Sequence, residues 1–392
     1  MKNISGLLIK MNREQQGLKQ EYLSKGICAV SYLSKIEKGL IVPSEEIIRL
    51  LFEKLAITYY DDEEFIREGK ILFEEIYKFR YLGITPEEDN LAKINDNRDK
   101  FLNSPLYLDY QLFVIAENLF ELKDIKLLKL KEYMDSEQLF KAYFFTGIVK
   151  EDMGMLKEAF QIKHAPEILY GMGNIKWWEG KYYEAIELYL EALNQAYTEG
   201  YIKLQMDICL MLGHIYMDFH VATMQKYYDK VLLLSKLLNN ITMECNIYYH
   251  MGIAYTKGNF KKAEENLLKA VKLCPVTDQD YLVKIYQKLC FLYFKYGQND
   301  KAQEYYERAA KLSQSDMVNQ LLQIMAETED YIHCKEYISQ LAFVYNQSRR
   351  SNKFSNTKYY GDFLLKAYKA NRKYKEALTV SEYIYSYLSQ DI

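Results

Sequence analysis

Few residues in this chain could carry chemistry, and their spacing excludes most of it. Five histidines (His164, His214, His220, His250, His333) show no metal-binding spacing with cysteines or acids. Six cysteines (Cys28, Cys209, Cys245, Cys274, Cys290, Cys334) are scattered, with no CxxC pair. Amid leucine and tyrosine they read as small apolar core residues, not as disulfides or redox pairs. Gly171-x-Gly173 follows no strand, so it is expected to serve helix packing and not phosphate binding. The scattered serines and cysteines have no identifiable base, so neither an enzyme nor a cofactor or metal site is expected. What remains is recognition. Residues 1–40 carry Lys2, Lys10, Arg13, Lys19, Lys25, Lys35 and Lys38 against Glu14, Glu21 and Glu37, or 7 − 3 = +4, in a chain of net charge −3. Asp61 to Glu64 then open an acidic stretch. A cationic head on an anionic body suits phosphate binding by the head alone.

The elements that must position these charges are helical. The 392 residues include only 5 Pro and 17 Gly but 38 Tyr and 49% hydrophobic residues, too few breakers for a β-rich chain. No apolar run approaches the ~20 residues of a membrane span, and Lys10 interrupts the short N-terminal apolar patch, so a cytoplasmic protein without a secretory signal is expected. Leu7, Leu8 and Met11 give a helix over 4–15 that Gly17 ends, and a short helix over 19–25 should turn Tyr22 and Leu23 inward. After the Gly26 turn, a third helix over 29–38 places Leu33 and Ile36 inward and stops at Gly39. Ser44 caps a fourth, striped by Ile47, Ile48, Leu51 and Leu55.

With Leu18-Lys19-Gln20-Glu21-Tyr22-Leu23 and Ser31-Tyr32-Leu33-Ser34-Lys35-Ile36-Glu37-Lys38-Gly39, residues 4–57 resemble the Xre/Cro-type helix-turn-helix. The gap from Gln20 to Glu37 is one residue short, and Lys25-Gly26-Ile27-Cys28 resembles the variant of the peptide-sensing RRNPP family (the Rap, Rgg, NprR, PlcR and PrgX type). The third helix would then lie in the major groove of duplex DNA, with Val30, Ser31 and Lys35 at base edges and Tyr32 and Ser34 nearer the backbone. Gln20, at a helix N-terminus, and Arg13, Lys19 and Lys25 are expected at phosphates. Lys10 and Glu37 occupy positions where such heads join their first and third helices, with Lys in place of the usual Arg and a weaker pair expected.

Behind the head, Phe65, Ile66, Ile71, Leu72, Ile76 and Phe79 predict an amphipathic helix, and Gly83-Ile84-Thr85-Pro86 a hinge. The rest repeats. Gly173 is followed by Ala185, Tyr189 and Ala192 at offsets of 12, 16 and 19, and Cys290 by Ala302, Tyr306 and Ala309 at the same offsets. Such spacing matches the tetratricopeptide pattern of small residues where antiparallel helices cross. The period, 39 residues from Ala263 to Ala302, exceeds the usual 34 and implies longer helices, a trait the RRNPP group shares. We therefore expect an all-α protein: a helix-turn-helix over 1–60, linker helices over 61–104, and a tetratricopeptide-like right-handed α-superhelix over 105–392.

The first helix of each pair should face the concave side. Counting from the repeat glycines places Tyr170, Asn174, Trp177, Trp178, Asp207, Met211, His214, Asn246, Tyr249, His250, Lys284, Gln287, Lys288, Phe291 and Lys295 there. Asparagine suits an extended peptide, whose backbone needs a donor and an acceptor from one side chain. Lysines suit a carboxylate, and aromatic residues suit apolar side chains. The expected function is a quorum-sensing-type transcription regulator switched by a short peptide, acting as a homodimer through its tyrosine-rich C-terminus. Two alternatives stand beside it: a DNA-binding dimer whose body takes a protein partner, and a Rap-like scaffold that inhibits another protein.

Overall fold

The structure is a computed structural model describing residues 2–82, 88–119, 121–122, 125–275, 277–350 and 354–388. Among these there are helices and no strand. They run α1 (Ile4–Gln15), α2 (Gln20–Ser24), α3 (Val30–Glu37), α4 (Glu45–Lys54), α5 (Glu63–Leu82), α6 (Glu88–Asp96), α7 (Arg98–Leu102), α8 (Tyr107–Glu117), α9 (Ser136–Lys150), α10 (Met153–Ile162) and α11 (Pro166–Trp178). They continue with α12 (Tyr182–Glu199), α13 (Ile202–Phe219), α14 (Val221–Leu237), α15 (Ile241–Tyr255), α16 (Phe260–Leu273), α17 (Gln279–Lys295), α18 (Asn299–Leu312), α19 (Met317–Glu327), α20 (Lys335–Arg350), α21 (Phe354–Ala370) and α22 (Tyr374–Leu388). Among the described residues no helix is long and apolar enough to cross a membrane. The six cysteines carry unbridged thiols.

The chain forms two compact units, one of residues 1–175 with 187–205 and one of residues 176–186 with 206–392. The division falls inside the repeats and not at the edge of the head. In the first unit the four head helices have local causes. Asn3 accepts the Ser5 amide at 2.8 Å to start α1, and Ser44 accepts from Ile47 to start α4. Gly39 takes φ +64°, a left-handed conformation that costs glycine little, and so ends α3. Gly6 serves a different need: a Cβ there would lie 2.0 Å from the Ile36 carbonyl oxygen, so α1 and α3 can meet only through a glycine. Leu8, Ile9, Leu23, Leu33, Ile36, Leu51 and Phe52 fill the head. Their cluster continues without a break through Leu108, Leu112, Phe140, Phe144 and Ile168, so head and first repeats share one core. Lys2 ties the same surfaces from outside, its amide donating to the Glu132 carbonyl at 2.8 Å and its ammonium pairing with the Glu132 carboxylate. Tyr22, expected inward, is 58% exposed; in so short a helix Leu23 and Ser24 are the residues that turn inward. The expected hinge at Gly83–Pro86 lies outside the described residues.

The repeat spacing becomes close helix crossings. A Cβ at Gly173 would meet the Tyr189 ring at 2.6 Å in the first unit, and one at Gly213 would meet Tyr228 at 2.2 Å in the second. Ala185, Ala192, Ala263, Ala270, Ala302 and Ala309 are all fully buried at such crossings. Cysteine serves as a small residue there too: Cys245 and Cys290 donate to the Ala270 and Ala302 carbonyls, each at 3.3 Å. In the second unit α15 pairs with α16, α17 with α18, α20 with α21 and α21 with α22.

Candidate functional site

In the head, the side chains divide around one buried carboxylate. Glu37, 3% exposed, accepts Arg13 Nε at 2.6 Å, Arg13 Nη2 at 2.9 Å and Gln20 Nε2 at 2.7 Å. Arg13 also donates to the Leu18 carbonyl at 2.8 Å. One hub therefore locks α1, α2 and α3. This corrects two expectations. The partner of Glu37 is Arg13 and not Lys10, so the bidentate fork thought lost is present. Arg13 and Gln20, expected at phosphates, are turned inward onto Glu37.

What the hub leaves outward is a short surface on α2 and α3. Lys19, Val30, Ser31 and Lys35 are exposed, and Tyr32 and Ser34 are half-buried, with Tyr32 packed against the core. Beside them the exposed Tyr22 ring lies 5.5 Å from Lys54 Nζ, and that ammonium also donates to the Lys25 carbonyl. Sequence reasoning missed Lys54, which ends α4, outside the Leu18–Leu23 and Ser31–Gly39 runs that carry the resemblance.

The repeat residues fall into two separate groups. In the first unit Tyr170 is half-buried with its ring 5.8 Å from that of Tyr189, and the Tyr189 hydroxyl donates to Asn174 Oδ1 at 2.7 Å. In the second unit the Tyr281 hydroxyl donates to Asn246 Oδ1 at 2.8 Å. Each asparagine thus has its carbonyl oxygen held by a tyrosine, which fixes the direction of its amide N–H donors. Neither tyrosine was foreseen as an asparagine partner: Tyr189 was read only as a repeat-packing residue, and Tyr281 reaches Asn246 from the first helix of the next pair.

Around Asn246, the Tyr249 ring lies 5.3 Å from those of both His250 (edge-on) and Tyr281 (tilted), and His250 lies 4.6 Å from His214. His214 Nε2 and His250 Nδ1 are shut from solvent without a hydrogen-bond partner among the described residues. Burial pushes His214 down to about 4, and burial followed by His214 pushes His250 well below the ordinary histidine value, so both rings are neutral at pH 7. Asp207 and Met211 are half-buried on α13, Lys284 is exposed over Tyr281, and Trp178 is 60% exposed beside Trp177.

Three expected groove residues do not face an open groove. Gln287 is 4% exposed and donates to Asp316 and Asn319 at 2.8 and 2.9 Å. Phe291 is fully buried, 5.1 Å from Phe363 of α21. Lys288, 2% exposed, has its ammonium 3.6 Å from the Tyr359 ring centroid and 4.5 Å from that of Tyr360. Helix α21 folds onto α17 and covers Lys288 and Phe291, while the start of α19 closes over Gln287, long-range contacts that repeat counting does not reveal. Burial pushes Lys288 down to about 7.

Comparison with known proteins agrees with this architecture. A helix-turn-helix family model (HTH_3) matches residues 9–61, and a tetratricopeptide repeat model (TPR_8) matches residues 283–316. Over 360 residues the chain is 22% identical to the transcriptional activator NprA of Geobacillus stearothermophilus, spanning 87% of this chain and 81% of that protein. A Rap protein complexed with competence and sporulation factor aligns with TM-score 0.61 and 17% identity, over 83% of this chain and 98% of that one. The apo quorum sensor NprR of B. thuringiensis aligns with TM-score 0.57 and 12% identity, over 82% and 99%. The chain joins a helix-turn-helix head to tetratricopeptide repeats, the combination that RRNPP-type proteins share. The helix-turn-helix match covers the second half of α1 and all of α2 to α4, and the repeat match falls on α17 and α18, where Cys290, Ala302 and Ala309 keep the tetratricopeptide offsets. At these identities the solved structures speak for the fold alone.

Proposed function

We propose that this RRNPP-type chain is a cytoplasmic transcription regulator, not an enzyme, that binds operator DNA through α3 and is switched by a short peptide held on its repeats. The observation that carries the reading is the division of side chains around Glu37. The hub turns Arg13 and Gln20 inward and rigidifies three helices, leaving Val30, Ser31 and Lys35 as an exposed face on α3, with Lys19 beside them. Val30 suits a thymine methyl, Ser31 and Lys35 suit base-edge acceptors, and Lys19 suits a phosphate. Asn174 and Asn246, each pre-oriented by a tyrosine, supply the backbone donors an extended peptide needs. The relatives' names support the same direction: NprA is a transcriptional activator, and NprR a quorum sensor.

The test has two parts. Selection from a pool of random duplexes should enrich paired half-sites about one helical turn, ~34 Å, apart, or a multiple of it. Mass spectrometry of protein purified from its native cells should find a co-purifying short peptide. Enriched duplexes without any peptide would favour the reading in which the body takes a protein partner. An unenriched pool would contradict DNA recognition.

A further inference from the structure

The second unit contains a cavity of about 340 Å³ between α15, α17 and α21, within the ~300–1,000 Å³ range of small-ligand pockets. Lys257, Lys295, Lys366 and Lys369 line it, with Asp362 as the acid among the lining residues. Its wall is aromatic: Phe291, Tyr359 and Phe363 pack with ring centroids 5.1–5.9 Å apart. Behind the Tyr359 ring stands the buried ammonium of Lys288.

Three features give this cavity a sign and a shape. The lysines come from the end of α15, the last turn of α17 and the second half of α21, so folding gathers them from separate elements. They are also close enough to disfavour one another: after burial, the charge of Lys366 is the next cause lowering Lys295, with Lys257 adding to it and Asp362 opposing. Helix C-termini attract such cations, and Lys295 donates to the Thr256 carbonyl at the end of α15. That contact satisfies Lys295 alone; Lys366, a turn before the end of α21, shares no such carbonyl in this structure. An anion seated among them would relieve the repulsion, and the Tyr359 and Phe363 rings beside it would take an apolar group.

We propose that this cavity binds a peptide carboxylate together with a neighbouring apolar side chain, the carboxylate lying among Lys295, Lys366 and Lys369 and the side chain against Tyr359 and Phe363, which the buried Phe291 backs. This inference rests on the peptide reading above and names the peptide chemistry this part of the body selects. A carboxylate can come from the peptide's C-terminus or from an Asp or Glu side chain, and the experiment separates them.

Three pools of random hexapeptides would be passed over the immobilised full-length chain: one with free C-termini and no acidic side chains, one C-terminally amidated without acidic side chains, and one amidated with Asp and Glu. The first or third pool should be retained above the second, and which of them it is identifies the carboxylate. The preference should fall roughly tenfold in Lys366→Gln/Lys369→Gln, as loss of charge-assisted hydrogen bonds implies. Both lysines are exposed, so that variant should melt as the wild type does, and Lys311→Gln, an exposed lysine outside the cavity, should bind normally. Equal retention of all three pools, or a preference that survives the double substitution, would overturn this inference and leave the peptide reading standing. Retention of none would overturn both.

Discussion

Glu37 shows how one residue can decide the roles of its neighbours. Its carboxylate is buried and answered by a bidentate guanidinium and an amide, and removing one partner of such a pair leaves an uncompensated charge, at about 3–5 kcal/mol. Arg13→Ala should therefore lower the stability of the head by ~3 kcal/mol in chemical denaturation, whereas Lys10→Ala should stay within ~0.5 kcal/mol. Equal effects would return the pair to Lys10. The sequence could not separate the two, because Lys10 and Arg13 lie one turn apart on the same face of α1, both within reach of α3. Spacing identifies the face; packing identifies the partner.

Lys288 is a second case, with the opposite electrostatics. Among the described residues it has no carboxylate partner; ring faces and the Tyr360 hydroxyl at 3.3 Å surround it. The rings favour the charged form, but burial dominates and lowers the folded-state value from 10.5 to about 7. Between about pH 7 and pH 10.5 the unfolded chain holds a proton at Lys288 that the folded chain has released, so this group's contribution to stability rises with pH across that window. Lys288→Met should accordingly melt higher than wild type near pH 7, with the excess shrinking toward pH 10. An excess independent of pH would show that the lysine is charged within its cage.

At the scale of elements, the small-residue positions were the most legible part of the chain. Gly173, Gly213, Ala185, Ala263 and Ala302 lie at helix crossings because close approach tolerates little else, and that constraint is written directly into residue size. The head helices were equally legible, since caps and breakers act locally: α1, α3 and α4 fall within a residue or so of their expected bounds. Gly6 adds a sharper requirement. Gly6→Ala forces α1 away from the Ile36 carbonyl and should destabilise the head by several kcal/mol, as overpacking against rigid backbone does. Thermal melting followed by head-specific proteolysis would check this, and a variant as stable as wild type would show that α1 can shift. The fold-back of α21 onto α17 had no local signature. Tyr359 and Tyr360 read as surplus aromatic surface in sequence, yet they cover a lysine some seventy residues earlier (Lys288–Tyr360, |i−j| = 72). For the same reason the groove assignment missed what lies over Gln287, Lys288 and Phe291.

At the scale of the whole molecule, the head and first repeats share one core and belong to one compact unit. The proposed regulation would then act on how two such bodies are paired and not on a head swinging by itself. A single head offers few base contacts, so useful affinity needs two. The exposed Tyr374, Leu378 and Tyr385 of α22, at 65%, 57% and 66%, leave an apolar stripe on the last helix. Light scattering at micromolar concentration should report a dimer, and Leu378→Asp/Tyr385→Asp should shift it to monomer while preserving the melting profile. A wild-type monomer would remove the pairing.

The central claim is that α3 reads duplex DNA, and the most direct test is fluorescence anisotropy on a duplex taken from the selection. Wild type should bind with an affinity that falls steeply as salt rises, because Lys19 and its neighbours displace counterions from phosphates. Lys35→Glu should abolish specific binding while leaving the melting temperature unchanged, since that side chain is exposed and lies outside the Glu37 hub. Binding by Lys35→Glu equal to wild type, with the same salt dependence, would contradict the account.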